Sequence, residues 1–313
     1  MIPLRPLSLG DLYDGAFTTI RRNPRAMVGL AAAVTALFMV VPVALALLLA
    51  STGDLAVSFR GGSGSGTDPF GDVGTGALGV VGNLGTLFGA LASVVLNGML
   101  VHVVAEAVLG RRTDIGAAWV TARPRLLPLV GLTLLNGLVV VVLLGLPVLA
   151  GVLTGLASGL AFGLLAGIPL LVAGVALLVF VQVRFFLLAP PALVLERTGM
   201  RASLRRAGTL SRDQFWRLLG ISLLTTLVVG LVSQVVAVPL GLLGLLGPLA
   251  LPGTGGALVL VFSSYLTQVV VGAVTTPFSS AVVALQYVDQ RIRKEGLDMT
   301  LLAAADPASP DLR

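Results

Sequence analysis

Six unbroken apolar runs, at about 26–50, 77–109, 126–150, 164–189, 218–246 and 258–284, limit what this chain can fold into. A helix needs roughly 20 mainly apolar residues, rising about 1.5 Å each, to cross about 30 Å of hydrocarbon. Each run meets that length, and none shows the period of 2 or 3.6 that marks a half-buried element of a soluble domain. Composition points the same way: 11% of residues are charged and mean hydropathy is +1.02, whereas soluble domains carry about 25% charge. The expected fold class is all-α, a polytopic integral membrane protein with six transmembrane helices. Ala44-Leu45-Ala46 resembles a signal-cleavage site, but a polar helix precedes the first run, so that run is read as a retained span.

Positive charge sets the orientation, because Lys and Arg stay on the cytoplasmic side of short loops. All basic residues except Arg60 and Arg184 fall before span 1, between spans 2 and 3, between spans 4 and 5, or after span 6. Both termini are therefore expected in the cytoplasm, in a multi-pass protein of the cell membrane. The net charge of +6 then reflects arginines that meet anionic headgroups, and nucleic acid is not an expected partner. The loop at about 51–76, with its run from Gly61 to Gly66 and Asp54, Asp68 and Asp72, reads as a flexible external segment. It lacks the lysine and the strand-turn-helix setting of a phosphate-binding loop.

The chain also repeats itself. Each odd-numbered span follows a basic, amphipathic segment. In the first, Ser8 and Asp11 have capping-box spacing, and Leu9, Leu12, Tyr13, Ala16, Phe17 and Ile20 share a face. The second has Thr113 as a cap and Ile115, Trp119 and Ala122 on one face, and the third runs from Arg201 to Arg217. Aligning Gly29, Gly131 and Gly220 superimposes the three entries. The expected architecture is three hairpins, each preceded by a cytoplasmic interfacial helix, in units of about 1–110, 111–196 and 197–296. Residues 1–296 form a single membrane domain on this reading, and 297–313 a disordered cytoplasmic tail.

Gly151, Gly155, Gly159, Gly163 and Gly167 recur every fourth residue, a spacing that lets helix backbones approach closely. Packing within the chain is expected in preference to a homo-oligomer face. Because this ridge straddles the connection between spans 3 and 4, part of it is expected as a loop or a partly inserted helix.

Ionisable groups inside a bilayer are costly, so each is a candidate site. Glu106 in span 2 and Arg184 in span 4 lie at similar depth, consistent either with an ion pair or with separate snorkelling to the interface. His102 stands one turn from Glu106 and is the only histidine; a hydrogen-bonded packing role is preferred over a proton relay or half a metal site. Gln234 and Gln268, with Thr225, Thr226, Tyr265 and Thr267 nearby and Pro239 and Pro277 to kink the helices, suit either helix packing or a substrate path. With no cysteine, thiol chemistry, zinc-cysteine sites and disulfides are excluded.

The stretch Ala189-Pro190-Pro191-Ala192-Leu193-Val194-Leu195-Glu196, continuing through Leu204-Arg205-Arg206 to Phe215-Trp216-Arg217, resembles a bacterial six-span family. This is the membrane domain associated with glycerophosphoryl diester phosphodiesterases, including stand-alone actinobacterial members. The opening Arg5 to Asp11, Arg22-Asn23-Pro24 and the closing Tyr287 to Gly296 are similar to the same group. The resemblance implies an all-helical membrane domain with interfacial helices. It does not carry the phosphodiesterase activity, which in that family belongs to a separate soluble barrel using paired histidines and metal-binding carboxylates. With a single histidine, this chain is not expected to be an enzyme or to need a cofactor.

The expected function is a non-catalytic anchor, scaffold or regulator of membrane or cytoplasmic protein partners. Arg201, Arg205, Arg206, Arg212, Trp216 and Arg217 are the expected contacts to anionic lipid or partner. The alternative is a transporter or channel for a small solute or lipid, using polar groups of spans 2, 4, 5 and 6.

Overall fold

A computed structural model describes residues 7–52, 77–108, 115–251 and 254–296. Several expectations fall outside these residues: Arg5, Arg111, Arg112, the Thr113 cap, the loop with Asp54, Asp68 and Asp72, and the tail after Gly296. Among the described residues there are ten α-helices and no strand. They are α1 (Leu9–Arg22), α2 (Leu30–Thr52), α3 (Ala77–Val108), α4 (Ile115–Ala122), α5 (Leu126–Ser158), α6 (Leu160–Val181), α7 (Ala189–Leu195), α8 (Met200–Leu210), α9 (Phe215–Ala250) and α10 (Thr254–Glu295). The chain is all-α, with six helical stretches long and apolar enough to cross a membrane: Arg25–Ser51, Gly79–Ala107, Ala118–Ser158, Leu160–Leu195, Phe215–Ala250 and Thr254–Glu295.

Local sequence explains the element ends. The Ser8 hydroxyl accepts from the Asp11 N–H at 3.2 Å and the Asp11 carboxylate accepts from the Ser8 N–H at 3.0 Å, so the start of α1 has both halves of a capping box. Asn23 and Pro24 end α1, since proline offers no N–H to continue the ladder. A wide π turn, Arg25–Gly29, then leads into α2, and a second one, Gln182–Phe186, follows α6. Pro239 and Pro277 lie inside continuous helices and do not break them.

The loop expected within the glycine ridge is a single residue, and the other four ridge glycines are helical. The whole connection between α5 and α6 is Gly159, at φ +96°, a left-handed value that costs glycine little. On either side the backbones nearly touch. A Cβ on Gly163 would lie 2.6 Å from the Gly155 Cα and 2.7 Å from the Gly151 carbonyl oxygen. Only glycine permits that approach, which is why the spacing continues unbroken through the turn.

Helices consecutive in sequence pack against each other in the pairs α2 with α3, α5 with α6 and α9 with α10; α10 also packs on α2 and α3. Outward faces such as Leu134, Leu156, Leu165 and Leu231 stay exposed, as expected where lipid tails are as apolar as leucine. Almost none of the α5 and α6 spans is buried. The largest buried cluster lies instead at one end of the bundle, where Leu12 of α1, Met27, Leu100 of α3, Leu193 of α7, Ile221 of α9 and Leu285 of α10 meet. That end, the basic end, also gathers most of the basic residues.

Candidate functional site at the basic end

Asp289, near the end of α10, has a side chain only 1% exposed. Burying a carboxylate costs several kcal/mol unless charge and hydrogen bonds replace its water. Three groups do so. The Leu7 N–H donates to Oδ1 at 2.8 Å, the Arg217 guanidinium from the first turn of α9 pairs with Oδ2, and Arg293 Nε donates to both oxygens at 3.0 and 3.1 Å. The same two arginines hold the other side of Leu7: its carbonyl accepts from Arg217 Nη2 at 2.6 Å and from Arg293 Nη2 at 3.0 Å. The segment before α1 is thereby clamped between the last helix and the start of α9.

A second network lies alongside. Glu196, at the end of α7, accepts from Arg206 Nε of α8 at 2.9 and 3.0 Å and from the Tyr287 hydroxyl of α10. Arg206 also reaches Glu295 at 2.5 Å, and Arg291 pairs with Glu295 at 3.0 Å and with Glu196 at 3.7 Å. Partial burial works against the Arg206 charge, but the hydrogen bond and charge of Glu196, joined by Glu295, raise its proton affinity above the ordinary guanidinium value. Lys294 Nζ meets Asp213 at 3.0 Å and the Thr209 carbonyl at 3.0 Å. The hydrogen bond and charge of Lys294 hold the Asp213 carboxyl below its ordinary value, with Arg212 and Arg184 adding to the effect.

These networks divide the basic residues singled out in sequence. Arg206 and Arg217 face inward as ion-pair partners of acidic groups. Arg201, Arg205 and Arg212 are exposed and form no ion pair among the described residues, and Trp216 beside them is 80% exposed. Helix α8 is therefore two-sided, with Ser203, Ala207 and Leu210 buried and a row of arginines outside. Asp289, Glu196, Tyr287 and Glu295 were not marked as site residues by sequence reasoning. Their signal was present in the stretches 189–196 and 287–296, which the fold brings together.

The intramembrane candidates are spread out. Glu106 and His102 are half-buried on α3 at the basic end. Arg184 lies in the π turn after α6, where its carbonyl accepts from the Ser211 hydroxyl at 2.8 Å, so it borders the loop between α8 and α9. Gln234 is exposed on α9 and Gln268 on α10, the latter with its amide oxygen against Gly89 of α3. Other polar groups are paired between helices: Tyr13 with Thr225 at 3.0 Å, Ser280 with Asn97 at 2.7 Å, and the Tyr265 hydroxyl with the Val81 carbonyl at 3.0 Å. A further pair absent from the sequence reading joins Gln182 to Asn136 at 2.8 Å.

No curated protein and no solved structure matches the chain. One family does, and its description is a domain of unknown function (DUF7847). The match runs over residues 8–290, from the cap of α1 past Asp289 on α10. A match that takes in five candidate spans whole and the sixth as far as Gln290 covers most of the chain, which belongs to the DUF7847 domain family.

Proposed function

We propose that this is a non-catalytic protein of the cell membrane that anchors, scaffolds or regulates partners at the cytoplasmic face, with both termini in the cytoplasm. In this reading the six spans form three hairpins, each entered from a basic interfacial helix, and residues 1–296 act as one membrane domain. The two-sided character of α8 carries the proposal: one face is fixed to α10 through Glu196, Arg206 and Glu295, and the other presents Arg201 and Arg205 to the surroundings, with Arg212 on the turn that follows. A rigid helix with unpaired arginines beside an exposed tryptophan suits contact with anionic headgroups or an acidic partner surface. The resemblance to the membrane domain of glycerophosphoryl diester phosphodiesterases supports the same role, since there a membrane domain accompanies a separate catalytic unit.

Transport finds less support. It would need the intramembrane polar groups to line one path, whereas Gln234 is exposed on α9, Gln268 lies against α3, and Glu106 and His102 lie near the basic end.

The test is lipid selectivity around Trp216. With Trp119→Phe leaving Trp216 as the sole tryptophan, energy transfer to headgroup-labelled phosphatidylglycerol is measured in mixed phosphatidylcholine vesicles. Arg201→Gln, Arg205→Gln and Arg212→Gln together should remove most of the anionic enrichment, at about 1 kcal/mol per charge near such a surface. Enrichment that survives the triple substitution, or that is indifferent to salt, would sink the proposal.

A further inference from the structure

A cavity of about 200 Å³ opens between α5, the π turn after α6 and the start of α9. Its apolar wall includes Leu132, Val183 and Phe186, and its polar groups are Thr133, Asn136, Gln182 and Ser222. Gln182 Nε2 donates to Asn136 Oδ1 at 2.8 Å. That single bond leaves the Asn136 amide N–H groups and Gln182 Oε1 without a partner among the described residues. Unmet amide groups in hydrocarbon cost several kcal/mol each, so two half-buried amides facing an open niche require something to bond. The π turn is a second feature of the same place. The Leu187 N–H reaches the Gln182 carbonyl at 2.8 Å across a widened turn, a local departure that often accompanies functional sites.

The occupant follows from depth and surroundings. Ser222 lies roughly 8 Å along α9 from Arg217, just below the charged end. The niche opens on surfaces apolar enough to face lipid. The exposed Arg212 sits on the turn tied to this wall by the bond from Ser211 to the Arg184 carbonyl. A molecule at this level with carbonyl acceptors, an apolar tail and a charged end is a phospholipid. We propose that the niche holds the glycerol-ester region of a bilayer phospholipid, with the Asn136 amide N–H groups donating to an ester carbonyl and the paired Gln182 amide holding Asn136 in place. Leu132, Val183 and Phe186 then flank the upper acyl chain, and the headgroup lies toward Arg212.

The experiment compares ester-linked and ether-linked phosphatidylglycerol competing for the purified, delipidated protein, with retained lipid read by native mass spectrometry. The wild-type chain should retain the ester lipid over the ether lipid by on the order of fivefold, the weight of one or two hydrogen bonds. Asn136→Leu with Gln182→Leu removes both amides at once and leaves no orphaned group, so the unfolding temperature should hold while the preference disappears. Ser222→Met fills the niche with the amides intact and should also abolish it, which keeps the test decisive if the double variant fails to fold. Arg201→Gln with Arg205→Gln should lower total anionic lipid but keep the ester preference, which separates this site from the headgroup contacts on α8. No ester preference in the wild type, or a preference that survives in Ser222→Met, would overturn the proposal.

Discussion

Asp289 is the residue on which the basic end depends most. Its carboxylate is buried and answers to two arginines and a backbone N–H, so its removal leaves Arg217 and Arg293 facing each other without a counter-charge. Breaking a buried pair in this way costs about 3 kcal/mol or more. Asp289→Ala should destabilise the protein by that order in detergent unfolding and speed hydrogen exchange at the Leu7 amide; normal protection at Leu7 would show that the clamp is not closed in solution. Tyr287→Phe removes one hydrogen bond to the Glu196 carboxylate and should cost about 1.5–3 kcal/mol, with Leu7 still protected. None of these partners could be paired from sequence. Leu7 and Asp289 are 282 positions apart and Arg217 and Asp289 are 72 apart, so proximity came from the fold and not from spacing. The Ser8 and Asp11 cap was legible because its partners are three residues apart on one turn.

Elements were more legible than contacts. Each span needs a long apolar run and nothing in a soluble fold produces six of them, so hydropathy located every one. The ends were not set by hydropathy. The third and fourth spans extend to Ser158 and from Leu160, because glycine continues the helix on both sides of a one-residue turn and gives no polar signal there. Gly163→Leu should force α5 and α6 apart, since even a Cβ would meet backbone at 2.6 Å. A loss of roughly 1–3 kcal/mol is expected for such overpacking, read as a lower unfolding temperature with Leu7 protection retained. An unchanged unfolding temperature would mean that this pair does not pack as described. The Asn136 and Gln182 pair escaped the sequence reading because a lone amide in a long apolar run looks the same whether it meets lipid, water or another helix.

At the scale of the molecule, the largest buried cluster lies at the basic end, and a smaller one with Met39, Val81 and Tyr265 joins α2, α3 and α10 toward the other. The clamp and the second charge network also lie at the basic end, while α5 and α6 are nearly unburied along their spans. Such a distribution suits a platform held at one bilayer face. The absence of cysteine makes a direct measurement of sidedness simple, because any introduced thiol is unique. Arg205→Cys on α8 and Ser63→Cys between α2 and α3 are each treated with a membrane-impermeant maleimide, on intact spheroplasts and again after the membrane is opened. The account predicts immediate labelling at position 63 and labelling at position 205 only in opened membranes; labelling at position 205 on intact cells would put the basic platform outside and contradict it.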